Sequence, residues 1–185
     1  MLTELSLHVL DISNNSISAG ASLIDITVQI QRDLGLLKII IADNGCGINE
    51  ERLHKVEDPF YTTRSTRKIG LGIPFFKMAA LSTGGSFDLK SAPGMGTSVT
   101  ATFVLSHIDR MPLGDINSTI HTLITLNPDI DFIYTYIFDG KNFSLDTRLF
   151  REILDDIPLN SIQVSTYIKE YLEENQNETD GGYRV

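Results

Sequence analysis

The chain has 185 residues, 42% of them hydrophobic, with a mean hydropathy near zero and a net charge of −9, which is enough apolar material to bury one core of ordinary size. No apolar run approaches the roughly 18 residues of a membrane span, no secretion leader precedes the first patterned segment, and the single cysteine, Cys46, excludes a disulfide framework, so the expectation is a cytoplasmic protein away from the membrane. The charge is uneven: residues 1–107 carry 9 Lys+Arg against 10 Asp+Glu, and residues 108–185 carry 6 against 14, a sign that argues against a nucleic-acid partner.

In chain order, Leu5, Val9, Ile12, Ser16 and Ile17 recur at three- and four-residue spacings and predict an amphipathic helix of about four turns. It is closed by "SAGAS" (18–22), with Gly20 as its left-handed stop. "LIDITVQI" (23–30) alternates as a strand, "RDLG" (32–35) turns it, and "LLKIIIAD" (36–43) returns as a buried strand. Asn49 caps a short helix opened by Glu50, Glu51 and Arg52. Residues 57–74 show no sustained apolar period and are expected to form a long loop. "FFKMAALSTGG" (75–85) reads as a helix ended by its glycine pair. "SFDLKSA" (86–92), "PGMG" (93–96) and "TSVTATFVL" (97–105) read as an antiparallel hairpin.

The character changes near residue 108, where a boundary is expected. A helix over about 114–126 ends before Asn127-Pro128. "DFIYTYIF" and "FSLD" flank the turn "DGKN" (139–142) as a second hairpin. Asp146 or Thr147 caps a helix carrying Leu149, Phe150, Ile153 and Leu154. Pro158 breaks it, a last helix runs from about Ser161 to Glu174, and residues 177–185 are expected to be disordered. The division is thus 1–107, an acidic α/β module over 108–176, and a tail. The fold class is α+β, a two-layer sandwich with helices on one face of a mixed sheet and a small C-terminal α/β appendage.

Three constellations carry chemistry. Asp43 stands at the end of a buried strand, where a carboxylate can accept a hydrogen bond from an exocyclic amine such as that of adenine. Gly45 and Gly47, lacking a Cβ, would let the backbone come close to a flat base. Asp11 and Asn15 lie four apart on one helix face; together they can hold a hydrated Mg²⁺ and polarise a water or hydroxyl. Gly70 and Gly72 open a helix whose free backbone N–H groups suit phosphates. The four scattered histidines and one cysteine form no metal cluster.

These motifs in this order resemble the GHKL superfamily of ATP-binding domains, the Bergerat fold of MutL-type repair proteins, gyrase subunits, heat-shock chaperones and bacterial histidine kinases. "NNSISAGAS-IDITV" looks like a MutL-type N-box, and "DNGCGI" matches the first glycine box. "DPFYTTR" and "GLGIP" resemble the lid and second glycine box of histidine kinases, and "STGGSFDLKSAPGMGTSVTATFVL" resembles their closing helix and hairpin. The resemblance covers about residues 4–107. It implies ATP and Mg²⁺ as cofactors, with Asn15 as the magnesium ligand. Asp43 becomes the adenine acceptor, supported through water by Thr97. Gly45, Gly47 and Ile48 line the base; Gly70, Leu71 and Gly72 wrap the phosphates. Arg64, Arg67 and Lys68 are lid cations for the γ-phosphate, and Phe60 and Tyr61 pack the lid.

At position 11 the family's hydrolysing and serine-kinase members usually carry a glutamate as general base and its histidine kinases commonly an asparagine; this chain has Asp11, one methylene shorter than glutamate. None of "HVLD", "HKVE", "HIDR" or "HTLI" has the pattern of a phosphoacceptor hairpin. The expectation is therefore a histidine-kinase-like protein that passes phosphoryl from Mg-ATP to a separate regulatory protein, without its own phosphoacceptor. The alternative is an ATP-gated switch in which nucleotide closes the lid and sets partner affinity. Self-association as a homodimer stays open.

Overall fold

The computed structural model describes residues 3–56, 72–154 and 157–185. Helix α1 (Leu5–Ser18) leads into a hairpin of β1 (Leu23–Gln31) and β2 (Leu36–Asp43), then α2 (Glu50–Val56) and α3 (Gly72–Ser82). A second hairpin, β3 (Ser86–Ala92) and β4 (Gly96–Val104), is followed by α4 (Ile116–Leu126), β5 (Asp131–Phe138), β6 (Lys141–Asp146), α5 (Thr147–Leu154) and α6 (Ile162–Asp180). The strands form one mixed sheet in the order β3-β4-β2-β1-β5-β6.

Alternation decides which face is core. Ile24, Ile26, Val28 and Ile30 of β1 are buried, while Asp25, Thr27 and Gln29 on the opposite face are partly exposed, as the two-residue period of a strand requires. The register aligns Leu89, Val99, Ile41, Ile26, Tyr134 and Leu145 in one buried row across all six strands. Onto this face pack Leu5, Val9 and Ile12 of α1, Phe76 and Ala80 of α3, Ile116, Ile120 and Leu123 of α4, and Val164, Ile168 and Leu172 of α6. Each of the larger side chains contributes roughly 1.5–3 kcal/mol by leaving water. The other face carries the half-exposed Thr27, Ile40, Thr100 and Thr135, so the fold has two layers.

The C-terminal segment continues this sheet: β5 runs parallel to β1, Leu23 opposite Asp131 through Ile30 opposite Phe138. It also caps α1. The Glu4 side chain makes no cap bond; instead the N–H groups of Leu5 and Ser6 donate to the carbonyls of Pro112 (2.9 Å) and Leu113 (2.8 Å), satisfying donors that a helix start leaves open. Leu113 N–H in turn donates to the Val185 carbonyl at 2.9 Å.

Two expected boundaries move. Helix α3 starts at Gly72, three residues earlier than the apolar pattern suggested, because Pro74 falls in the first turn, where its missing N–H leaves no bond unmade. The expected disordered tail is ordered. Helix α6 runs to Asp180, which is buried and accepts from the Tyr136 hydroxyl at 2.8 Å. Gly181, at φ 66°, ends the helix, its N–H donating to Asn177 O. Beyond it, the Tyr183 ring and that of Phe138 both lie against the Arg32 guanidinium, 5.5 and 4.8 Å away. Among the described residues, no helix is long and apolar enough to cross a membrane.

His8 is buried between α1 and α3. Its ring stacks on Phe76 with centroids 5.6 Å apart, and neither nitrogen has a hydrogen-bond partner among the described residues. Burial pushes its pKa below the ordinary 6.5, and nearby Asp11 offsets only part of that.

Two outcomes are expected. Because the unfolded chain takes up a proton on His8 more readily than the fold does, its contribution to stability is complete above pH about 6.5 and declines as pH falls further. His8→Phe should therefore lose less melting temperature than the parent between pH about 7 and about 5; equal losses would exclude His8 as a source of acid sensitivity. Residues 1–107 expressed alone would bare the β1 edge and the start of α1, so gel filtration should show aggregation. A folded, monomeric fragment would refute that dependence.

Candidate functional site

The site is assembled around the carboxylate at the end of β2. Asp43 stands opposite Ile24 of β1 and Thr97 of β4, and donors from three elements converge on it. The buried Ser16 hydroxyl of α1 donates to Oδ2 at 2.6 Å, while Gly45 N–H and Thr97 N–H donate to Oδ1 at 2.9 and 3.2 Å. A carboxylate offers about four lone pairs. Three are taken, leaving one on Oδ2 for an external donor. Thr97 supports Asp43 directly through its backbone.

The flanking loop is stapled from both sides. Asn44 Oδ1 accepts from Ser22 and Leu23 N–H at 2.9 and 3.0 Å, and its amide donates to Ser22 Oγ at 2.9 Å. Cys46 N–H donates to Ala19 O, and Cys46 O accepts from Gly94 N–H. Ile48 N–H donates to Ser91 Oγ at 2.8 Å; that hydroxyl donates to Gly96 O and lies 2.9 Å from Thr97 Oγ1. Since Ser91 has one proton, and Gly96 O receives it, Thr97 is the donor of that pair.

The glycines of the site let backbone approach backbone. A Cβ on Gly47, at φ +68°, would lie 2.0 Å from Ala92 O, and one on Gly96, at φ +80°, 1.8 Å from Asp43 O. A Cβ on Gly45 would meet Ala19 O and Asp43 Oδ1 at 3.0 Å. Their missing side chains admit the protein's own backbone, which draws the loop, the β3–β4 turn and the strand end together.

Asp11 and Asn15 stand on one face of α1, and the start of α3 closes on them. A Cβ on Gly72 would lie 3.4 Å from Asp11 Cβ, 3.7 Å from Asp11 Oδ2 and 3.8 Å from Asn15 Nδ2. A carboxylate, an amide and a helix N-terminus thus meet on the helix that also carries Ser16, which touches Asp43. Asn49 caps α2 as expected, its side chain accepting from Arg52 N–H at 3.0 Å. Arg64, Arg67, Lys68, Gly70, Leu71, Phe60 and Tyr61 lie outside the described residues.

Sequence reasoning missed Ser16, Ser91 and Asn44. For Ser16 a signal existed, a polar residue in register with Leu5, Val9 and Ile12 on the core-facing stripe. Ser91 and Asn44 work through bonds to residues 43 and 22 positions away, which no local pattern announces.

Residues 2–107 match the family described as "Histidine kinase-, DNA gyrase B-, and HSP90-like ATPase". A putative sensor protein of Shewanella frigidimarina is 27% identical over 109 residues, covering 58% of this chain and 16% of that protein. Sensor protein kinase FleS of Pseudomonas aeruginosa is 33% identical over 108 residues, covering 58% of this chain and 26% of its own length. The chain therefore spans about a quarter or less of the length of these relatives. Among solved structures, the N-terminal domain of a DNA repair protein superposes with a TM-score of 0.56 at 19% identity, covering 78% of this chain and 53% of that one. The Aquifex aeolicus MutL ATPase domain complexed with ADP gives 0.51 at 11% identity, with both chains fully covered. At such identities the likeness is one of fold.

Asp43→Asn should lower affinity for adenine nucleotides tenfold to a hundredfold, since a hydrogen bond to a charged group is worth roughly 1.5–3 kcal/mol. Ser16→Ala should act in the same direction and less strongly, with circular dichroism unchanged in both. Calorimetric titration giving parental affinity for Asp43→Asn would remove adenine recognition from this carboxylate.

Proposed function

The chain belongs to the histidine kinase-, DNA gyrase B- and HSP90-like ATPase family, and from that premise we propose that it binds ATP with magnesium and passes the terminal phosphoryl group to a separate regulatory protein. The observation that carries the reading is the pairing of two ends of one site. One is an Asp43 carboxylate with a single lone pair left open; the other is the cluster of Asp11, Asn15 and Gly72 at the start of α3. The first suits an exocyclic amine and the second suits phosphates. Residues 2–107 would carry this site, and residues 108–185 would serve as the partner-facing module, in the cytoplasm.

Magnesium fits this donor set, because the Asp11 carboxylate and the Asn15 amide oxygen are the hard oxygen ligands that it takes beside phosphates. When bound, it would neutralise charge on the phosphates. Phosphoryl transfer needs mostly positioning and electrostatic stabilisation from a protein. The partner's nucleophile bonds to the γ-phosphorus, the bond from that phosphorus to the β–γ bridging oxygen breaks, and ADP leaves with the electron pair. A hydroxyl nucleophile would give its proton to Asp11; a neutral imidazole would not require that base.

The same carboxylate favours a second reading, hydrolysis, in which water is the nucleophile and the ATP-bound state sets partner affinity. Label from γ-labelled ATP separates the two. Transfer to a protein supports the first, and acid lability of the label would distinguish phosphohistidine from phosphoserine; release only as inorganic phosphate supports the second. Asp11→Asn should keep magnesium-dependent ATP binding through Asn15 and lose roughly 10²–10⁴-fold in turnover to a hydroxyl or to water. Parental turnover in a single-turnover assay would assign Asp11 a structural role.

A further inference from the structure

We propose that the corner made by α5 and α6 is a docking surface for a basic, amphipathic helical segment of a partner protein. This rests on the reading that the chain acts on a separate protein, and names the chemistry of the contact.

Helix α5 lays its inner face on an aromatic bed. Phe150 meets Tyr167 and Tyr171, each at 5.9 Å between centroids, and Tyr171 meets Phe143 of β6 at 6.4 Å. Its outer face is also apolar. Leu149 and Ile153, four apart and so stacked on one side of the helix, are 56% and 83% exposed. Ile157 and Ile162 flank the chain reversal into α6 and are exposed as well, as is Tyr167 beside Phe150. A concentration of large apolar side chains around one corner is unusual for a surface that meets only water.

Among the described residues, the charge around it that is not held in an ion pair has one sign. The basic side chains of the corner face acids of the same chain: Arg148 binds Asp146, Arg151 binds Asp131, and Lys169 lies 3.9 Å from Glu173. Glu152 beside Ile153, and Glu170 and Glu174 on the stripe that begins at Tyr167, are exposed and have no ion pair among the described residues. An anionic membrane or a nucleic acid would be repelled by this rim. A second copy of the chain docked through the same face would set acid against acid. A helix with an apolar stripe bordered by Lys or Arg complements it in both polarity and sign.

The location fits the proposed role. Asp146 pairs with Ile133, which faces Asp25, which faces Ala42. Helix α5 therefore leaves the sheet at the end where Asp43 stands, three strands away, or about 15 Å at the usual strand spacing.

The test uses the full chain and two fluorescent synthetic helices of the same amphipathic pattern, one of leucine and lysine, one of leucine and glutamate. The lysine peptide should bind, more weakly as salt rises, and the glutamate peptide should not. The double variants Ile153→Ser with Tyr167→Ser, and Glu170→Gln with Glu174→Gln, should each weaken binding about tenfold. The second pair should also flatten the salt dependence, and both should keep parental ATP affinity. Equal binding of the two peptides, or unchanged affinity in both variants, overturns the proposal. Equally tight binding to phosphatidylglycerol vesicles would assign the face to a membrane instead, and a dimer in sedimentation that Ile153→Ser dissolves would assign it to a second copy. A parent that fails to bind ATP would overturn the function proposed above while leaving the peptide result to stand or fall alone.

Discussion

The site depends on one constraint: a half-buried carboxylate held by donors from three separate elements. Ser16 fixes Asp43 to α1, Gly45 fixes it to the loop that follows, and Thr97 fixes it to β4. Charge-assisted bonds of this kind are roughly twice as strong as neutral ones, so they set the spacing of the elements that make them. Bringing the elements this close requires backbone against backbone at Gly96 and Gly47, where no side chain fits. The strand end, α1 and the β3–β4 turn therefore form a single unit. The lone pair left on Oδ2 has a direction only because the other three are occupied.

The central features were legible because they are local. The alternation of β1, the apolar run ending in Asp43 and the four-residue spacing of Asp11 and Asn15 need no knowledge of distant residues. The parallel pairing of β5 with β1 was not legible, since a parallel neighbour more than 100 residues away leaves no mark on either strand's own pattern. The same limit hid Ser91 and Asn44, whose bonds cross the site. The tail misled for another reason: "NQNETD" is polar enough to read as unstructured, yet Asp180 is buried through its bond to the Tyr136 hydroxyl. The glycines of the loop were legible as places of close approach, and their empty side-chain positions face Ala19 and Ala92.

The C-terminal segment bears on the site through α1. Its start is held by the carbonyls of Pro112 and Leu113, and Leu113 is held by Val185. Four residues of α1 beyond that anchor are His8, Asp11, Asn15 and Ser16, which in order stack on Phe76, approach Gly72 twice, and bind Asp43. One helix thus runs from the C-terminal anchor to the end of the sheet where Asp43 stands. A shift of its start would be felt at Asp11 and Ser16, because a packed helix transmits displacement along its axis more readily than it bends.

This arrangement gives the charge asymmetry a physical consequence. ATP is strongly anionic, and the half that would bind it is nearly neutral, while the acidic half reaches the same end of the sheet through β5, β6 and α5. Helix α5 leaves the sheet about 15 Å from Asp43, beyond the Debye length of roughly 8–10 Å at moderate salt, so its acidic rim opposes the approach of an anion mainly at low salt. A basic helix seated on α5 and α6 would cancel part of that field as it docks. Partner and nucleotide would then favour each other's binding without any movement of the fold, and by linkage the effect must be equal in both directions. Rising salt would weaken partner binding and this mutual support together, since both come from the same exposed carboxylates.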